Sequence, residues 1–210
     1  MLPFYFFATV TDAQDPDGLG RVRVSRQGDA EGVTDWIQVL TPWAGDGTGF
    51  FALPPVGSQV LVLALDGCEA RKVVIGGLWG EGALPPVSGE NPEADLNKDG
   101  NNSLRFFRSR AGSMFIFDDT EGAEKIQIIA PGGASRLEFL PAEEKISLKA
   151  DGELAIEAKG ALRFSANEIE LECKEALSAE GAEISVAAKK GCEIRADKDL
   201  VVKGASVALN

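Results

Sequence analysis

Histidine is missing from all 210 residues, and with it goes a whole set of chemistries. Ser-His-Asp and Cys-His nucleophilic sites, zincin helices and histidine general bases all need an imidazole that titrates near neutrality. Cysteine is sparse. Cys68, Cys173 and Cys192 make an odd number with no C-x-x-C spacing, which argues against a disulfide framework and for assembly in a reducing compartment such as the cytoplasm. No run approaches the ~18 apolar residues of a membrane-spanning helix, and residues 1–7 lack the basic start and long apolar core of a secretory signal. Beyond Phe164 there is no Phe, Trp or Tyr. The N-terminal part therefore has the aromatics for a globular core, whereas the C-terminal part must rely on Ile, Leu, Val and Ala. Positive charge is also short. With 33 acidic against 21 basic side chains the net charge is −12, which opposes nucleic acid and anionic lipid over most of the surface.

What is present is a repeat. From Ile146 onward, two apolar residues separated by one other residue recur about every eight positions. The pairs are Ile146/Leu148, Leu154/Ile156, Leu162/Phe164, Ile169/Leu171, Ile184/Val186, Cys192/Ile194, Leu200/Val202 and Val207/Leu209, with a weaker rung at Leu177/Ala179. The i, i+2 spacing puts both members of a pair on one face of a β-strand, and Gly, Lys, Asp, Glu and Ala supply the turns between. A short strand with one narrow apolar stripe cannot bury that stripe alone. It must stack on copies of itself, along the chain or between chains, as a β-solenoid or an intertwined β-prism. Cys173 extends the Ile169/Leu171 face and Cys192 fills a pair position. Both are expected to serve as small buried hydrophobes, a thiolate metal site on a three-fold axis being the other reading.

The chain as a whole reads as all-β. Residues 1–80 show short strands and no helical period: Phe4–Thr11, Gly20–Ser25, Trp36–Leu40, Gln59–Leu65 and Lys72–Ile75. Turns are expected at Asp15-Pro16-Asp17-Gly18 and Asp66-Gly67. This pattern predicts a small antiparallel barrel. Residues 81–103, rich in Pro, Gly and Asn, predict a linker, extended where prolines dominate. Residues 104–141 return to strands at a spacing of about ten residues and form a neck. Residues 142–210 are the octad spike.

The chemical motifs favour structure over catalysis. The carboxylate pairs Asp118/Asp119 and Glu143/Glu144 are adjacent residues at turns, where neighbouring side chains diverge, so paired acid–base work is not expected. Gly76-Gly77-Leu78-Trp79-Gly80 lacks the Gly-Lys-Ser/Thr ending of a phosphate loop, and its glycines are expected to let the barrel chain turn. Trp36, Trp43, Phe50 and Phe51 could stack on bases or sugars, but equally suit a barrel core or a subunit contact. Arg105, Arg108 and Arg110 form the one basic cluster, expected to pair with acidic residues of a neighbouring chain.

Asp15-Pro16-Asp17-Gly18-Leu19-Gly20-Arg21-Val22-Arg23-Val24 resembles the opening of the OB domain in contractile-tail spike proteins. These comprise phage baseplate assembly protein V, tail needles and the VgrG proteins of type VI secretion. The resemblance continues through Trp36-Ile37-Gln38-Val39, Gly49–Gly57, Val60–Gly67 and Val73–Trp79. Arg108–Ser113 and Phe115–Ile126 resemble the start of the VgrG β-helix. The resemblance implies a homotrimer with no enzymatic activity and no cofactor: three barrels at a base and three C-terminal segments wound into a needle.

On that reading Ile146, Leu148, Leu154, Ile156, Leu162, Phe164, Ile169, Leu171, Ile184, Val186, Ile194, Leu200 and Val202 face a shared axis, and Val207, Leu209 and Asn210 meet a tip protein. The function implied is a central spike that pierces a target envelope, assembled in the cytoplasm into a phage tail or tail-like particle that can be released. A hub domain is expected as a separate protein and a PAAR-type protein as the tip. Without histidine, a His-x-His iron apex is excluded. The competing reading is a carbohydrate- or nucleic-acid-binding OB module on a β-solenoid stalk; the acidic balance weighs against nucleic acid.

Overall fold

Period-two alternation builds the first sheet. In the computed structural model, which describes residues 4–26, 28, 32–65, 71–91 and 94–208, the first strand is Phe4–Asp12 (β1), with Phe6, Ala8 and Val10 buried while Tyr5, Phe7 and Thr9 face outward. Next in the chain are Arg23–Arg26 (β2), Gln38–Val39 (β3), a small hairpin of Ala44–Gly45 (β4) and Thr48–Gly49 (β5), Gln59–Ala64 (β6) and Lys72–Gly77 (β7). Five of these form one sheet in the order β2-β1-β6-β7-β3. The sheet closes on itself. β3 runs parallel to β7, and beside it Val22 and Ile37 exchange two backbone bonds of 3.0 and 2.9 Å that join the β2 and β3 segments. Closure removes the open edges of a five-stranded sheet. The interior is filled mainly by valine: Val10, Val22, Val24, Val60, Val62 and Val74, with Phe6, Ala8 and Ile37. Each such side chain, fully buried, contributes about 1.5–3 kcal/mol.

The expected OB-like barrel is present, and one detail differs from expectation. Gly76 and Gly77 do not turn the chain; they prolong β7 beside a bulge between Leu61 and Val62. The reversal comes later, where Gly80 and Ala83 exchange backbone bonds of 3.0 Å. Trp43, Phe50 and Phe51 are not core residues but exposed ones, because the narrow interior is already filled by β-branched side chains. The Asp66-Gly67 turn and Cys68 lie outside the described residues.

Residues 104–149 form a second sheet, an antiparallel meander of Leu104–Arg108 (β8), Met114–Asp118 (β9), Lys125–Ile129 (β10), Arg136–Leu140 (β11) and Lys145–Lys149 (β12). The expected neck strands are found, and the first octad pair, Ile146/Leu148, joins them as the fifth strand. The expected linker, residues 81–103, carries local order in its described part. The Asp95 carboxylate is buried and accepts the backbone N–H groups of Ser88 at 2.8 Å and Gly89 at 3.1 Å. Burial alone would raise its pKa, but these bonds and Lys98 hold it below its ordinary value. The carboxylate thus folds the proline-flanked segment back on itself.

From Asp151 to Ala208 the described chain forms no strand ladder of its own, and every residue is exposed. Its course is nonetheless periodic. Bends fall at residues 151–152, 159–160, 167, 174–175, 182, 189–190, 197–198 and 205, with straight stretches of six residues between them. Each apolar pair takes the second and fourth places of its stretch. The chain divides into two units after Leu154, and this periodic segment makes up the second.

Candidate assembly surfaces

The barrel loop Asp15–Arg21 is locked by one carboxylate. Asp15 Oδ2 accepts the N–H of Leu19 at 3.0 Å, the N–H of Arg21 at 3.1 Å and Arg21 Nε at 2.9 Å, while Oδ1 accepts Arg21 Nη2 at 2.6 Å. The Arg21 guanidinium, which also reaches Asp17, holds the Asp15 carboxyl well below the usual carboxylate range. The loop presents Leu19 and Gly20 to an apolar cleft of about 790 Å³. Gly20 sits at φ +69°, and a Cβ added there would lie 3.5 Å from the Phe51 ring. Opposite, the β4–β5 hairpin turns through Asp46 and Gly47 (φ +64°). It sets the Trp43 and Phe50 rings 6.4 Å apart, and Thr41 Oγ1 donates to the Phe50 carbonyl at 2.5 Å. A second cleft of about 540 Å³ adjoins, lined by Leu40, Leu53, Trp79 and Leu84. Phe51 is 80% exposed and Trp79 69%. Trp36 is different: it is half-buried, with the Arg23 guanidinium 4.9 Å from its ring centre. The barrel thus exposes a wide apolar face of the kind that marks a protein contact.

The meander is amphipathic in an inverted sense. On one face Ile116, Asp118, Gln127, Ile129 and Glu138 are buried. Gln127 Nε2 donates to Glu138 at 2.9 Å and to Glu90 at 3.3 Å. Lys125 lies 3.8 Å from Glu90 and 3.9 Å from Asp118, Arg136 pairs with Glu138 at 3.2 Å, and Arg108 donates to the Val87 carbonyl. The folded segment thus covers this face from within the same chain.

The other face is open. Strand register lines up Phe107, Phe115, Ile128, Leu137 and Leu148 in one cross-strand row, and Arg105, Phe117, Ile126, Phe139 and Ile146 in the next. Leu137 is half-buried and the rest are exposed. Arg105 pairs at 2.7 Å with Asp119 of its own chain. The carboxylate pairs hold turns: Asp118 accepts Thr120 N–H at 3.0 Å, and Glu143 lies 3.5 Å from Lys145.

The expected axis residues are thereby located. Ile146 and Leu148 stand on β12; Leu154, Ile156, Leu162, Phe164, Ile169, Leu171, Ile184, Val186, Ile194, Leu200, Val202 and Val207 lie exposed on the periodic segment. Leu209 and Asn210 lie outside the described residues. Cys173 and Cys192 are exposed within the single chain, not buried. On the opposite face of one rung, Arg195 bonds Glu193 beside Ile194. Sequence reasoning missed the pairs Phe115/Phe117, Ile126/Ile128 and Leu137/Phe139. Their i, i+2 pattern was visible, but their spacing of eleven residues fell outside the octad period.

Against this geometry, comparison with known proteins is informative. Residues 6–79 match the type VI secretion system/phage-baseplate injector OB domain, the stretch that closes into the barrel. The chain is 31% identical over 168 residues to the type VI secretion system spike protein VgrG2a of Pseudomonas aeruginosa, covering 72% of this chain and 20% of that protein. VgrG2b of the same organism matches at 31% over 168 residues, 72% of this chain and 16% of that protein. VgrG4b matches at 35% over 116 residues, 48% of this chain and 14% of that protein. The aligned region is thus a fifth or less of each relative. The chain is VgrG-like, and its residues 6–79 are an injector OB domain of the type VI secretion system/phage-baseplate kind.

Proposed function

We propose that the chain is the structural central spike of a contractile tail or injection machine, acting as a homotrimer driven point-first through a target envelope. The observation that carries this reading is the periodic segment. Residues 151–208 combine regular six-residue stretches, aligned apolar pairs and complete exposure in a single chain. An isolated strand of this kind leaves both backbone and apolar side chains unsatisfied in water. Winding three copies together pairs the backbones and turns the apolar pairs onto a common axis, with Glu, Lys and Asp outside. A rod so made unfolds slowly, because its chains must unwind together, and stiffness is what piercing demands.

The exposed barrel face around Trp43, Phe51 and Trp79 suits a contact with the hub, and a PAAR-type tip protein would cap the last rungs near Val207. The particle carrying it would be a phage tail or tail-like machine assembled in the cytoplasm. Denaturing gel electrophoresis without heating tests the reading. A band at three times the chain mass that collapses to 22.2 kDa on boiling is expected, and a single low band in unheated samples would refute it.

A further inference from the structure

We infer that the meander of residues 104–149 is a registration device: its open apolar face meets the same face of two further copies and fixes the alignment in which the octads then pair. The inference rests on the trimeric reading. The occupant is a copy of this chain for three reasons. The opposite face is already covered by residues 88–95 of the same chain, so the apolar face is the free one. Its single charge, Arg105, is neutralised within the chain by Asp119, so the face calls for an apolar partner, and its own copy is one. Ile146 and Leu148, on the last strand of this face, are also the first pair of the octad period, so in sequence the one passes directly into the other.

Alignment is a real problem for this sequence. Seven successive octad rungs are built alike from Ile, Leu, Val, Ala and Cys, with Phe164 the lone aromatic. A slip of one rung exchanges one aliphatic pair for another at little cost, and strands of low complexity are prone to such slippage. The meander differs in kind. Phe107 is answered in the next row by Arg105, and Phe139 by Leu137, so its two rows are not interchangeable, and Phe115 and Phe117 add aromatic bulk that the octads lack beyond Phe164. Its strands also pair within one chain, so the face exists before association, whereas residues 151–208 have no strand ladder until other chains supply one. The face is small. Five strands about 4.8 Å apart and about five residues long at ~3.4 Å each span roughly 400 Å². That is near half of the ~800 Å² per partner of a stable interface. The face is large enough to select an alignment, and the octads must supply the strength.

Trypsin digestion of the full chain followed by mass spectrometry of the resistant core tests this. Lys174, Lys189, Lys190, Arg195, Lys198 and Lys203 are spread along the last rungs, so chains out of alignment leave unpaired ends that are trimmed to different lengths. Wild type should give one core. Phe115→Ala combined with Phe117→Ala should still elute as trimer but give a ladder of cores ending at several of these sites. A single wild-type core from that trimer would overturn the proposal, as would a monomeric double variant, because the octads are expected to associate without the face. Phe117→Leu, which keeps the face apolar, should give a weaker ladder; a ladder as strong as that of the double variant would overturn the dependence on aromatic shape. Wild-type protein degraded completely as a monomer would instead refute the trimeric reading itself.

Discussion

Asp15 shows how one carboxylate can hold a loop that no packing holds. It accepts bonds from the Leu19 and Arg21 backbones and from the Arg21 guanidinium, so Asp15→Asn should lower the melting temperature of the barrel. Because the folded pKa lies below the ordinary value of 3.8, this contribution is complete above that value and fades as pH falls below it. Thermal scans should therefore show the widest gap between wild type and variant near neutrality, narrowing under acid. Gln127 is the corresponding residue in the meander. Gln127→Leu removes two bonds and leaves the buried Glu138 with Arg136 alone, a loss of about 1–3 kcal/mol expected from buried polar groups left unpaired, measurable by denaturant unfolding. Neither role was legible in the sequence. Asp15 stood in a recognisable turn, but its bond to Arg21 six residues on depends on the path of the chain, and Gln127 read as one more polar residue on an alternating strand.

At the scale of elements, strands were legible wherever alternation was strong. β1 and β6 fell within a residue of their expected places, because one buried face imposes period two on the sequence. β3 was legible only as part of a longer run, since its two paired residues depend on a distant parallel partner, β7. The order within the linker of residues 81–103 was not legible, because composition cannot reveal that Asp95 is buried and gathers the Ser88 and Gly89 backbone. The octad was legible in full as a period, and its bends recur where glycine and charged residues predicted turns. Its facing is testable by substitution. Ile156→Asp should put three unpartnered carboxylates together and abolish the trimer or its heat resistance. Glu157→Lys, on the opposite side of the same rung, should do little; equal effects in a heated gel assay would mean the facing is reversed. On the barrel, Phe51→Ser should change folding stability by no more than about 0.5 kcal/mol, as for other exposed sites. It should instead weaken attachment to the hub in a co-assembly assay.

For the whole molecule, the two halves solve burial differently. The barrel closes on itself and needs no partner to fold, although it leaves an aromatic face open for one. The meander covers its polar face with its own chain and leaves its apolar face bare, and the octads bury nothing alone. Apolar exposure on this scale, in a chain of net charge −12 with apolar residues at fixed intervals, is the mark of an assembly component. The central claim is that three chains share one axis. Light scattering after size exclusion at micromolar concentration measures it directly. The account predicts about 67 kDa, three times the 22.2 kDa chain; a clean species of 22.2 kDa would contradict it.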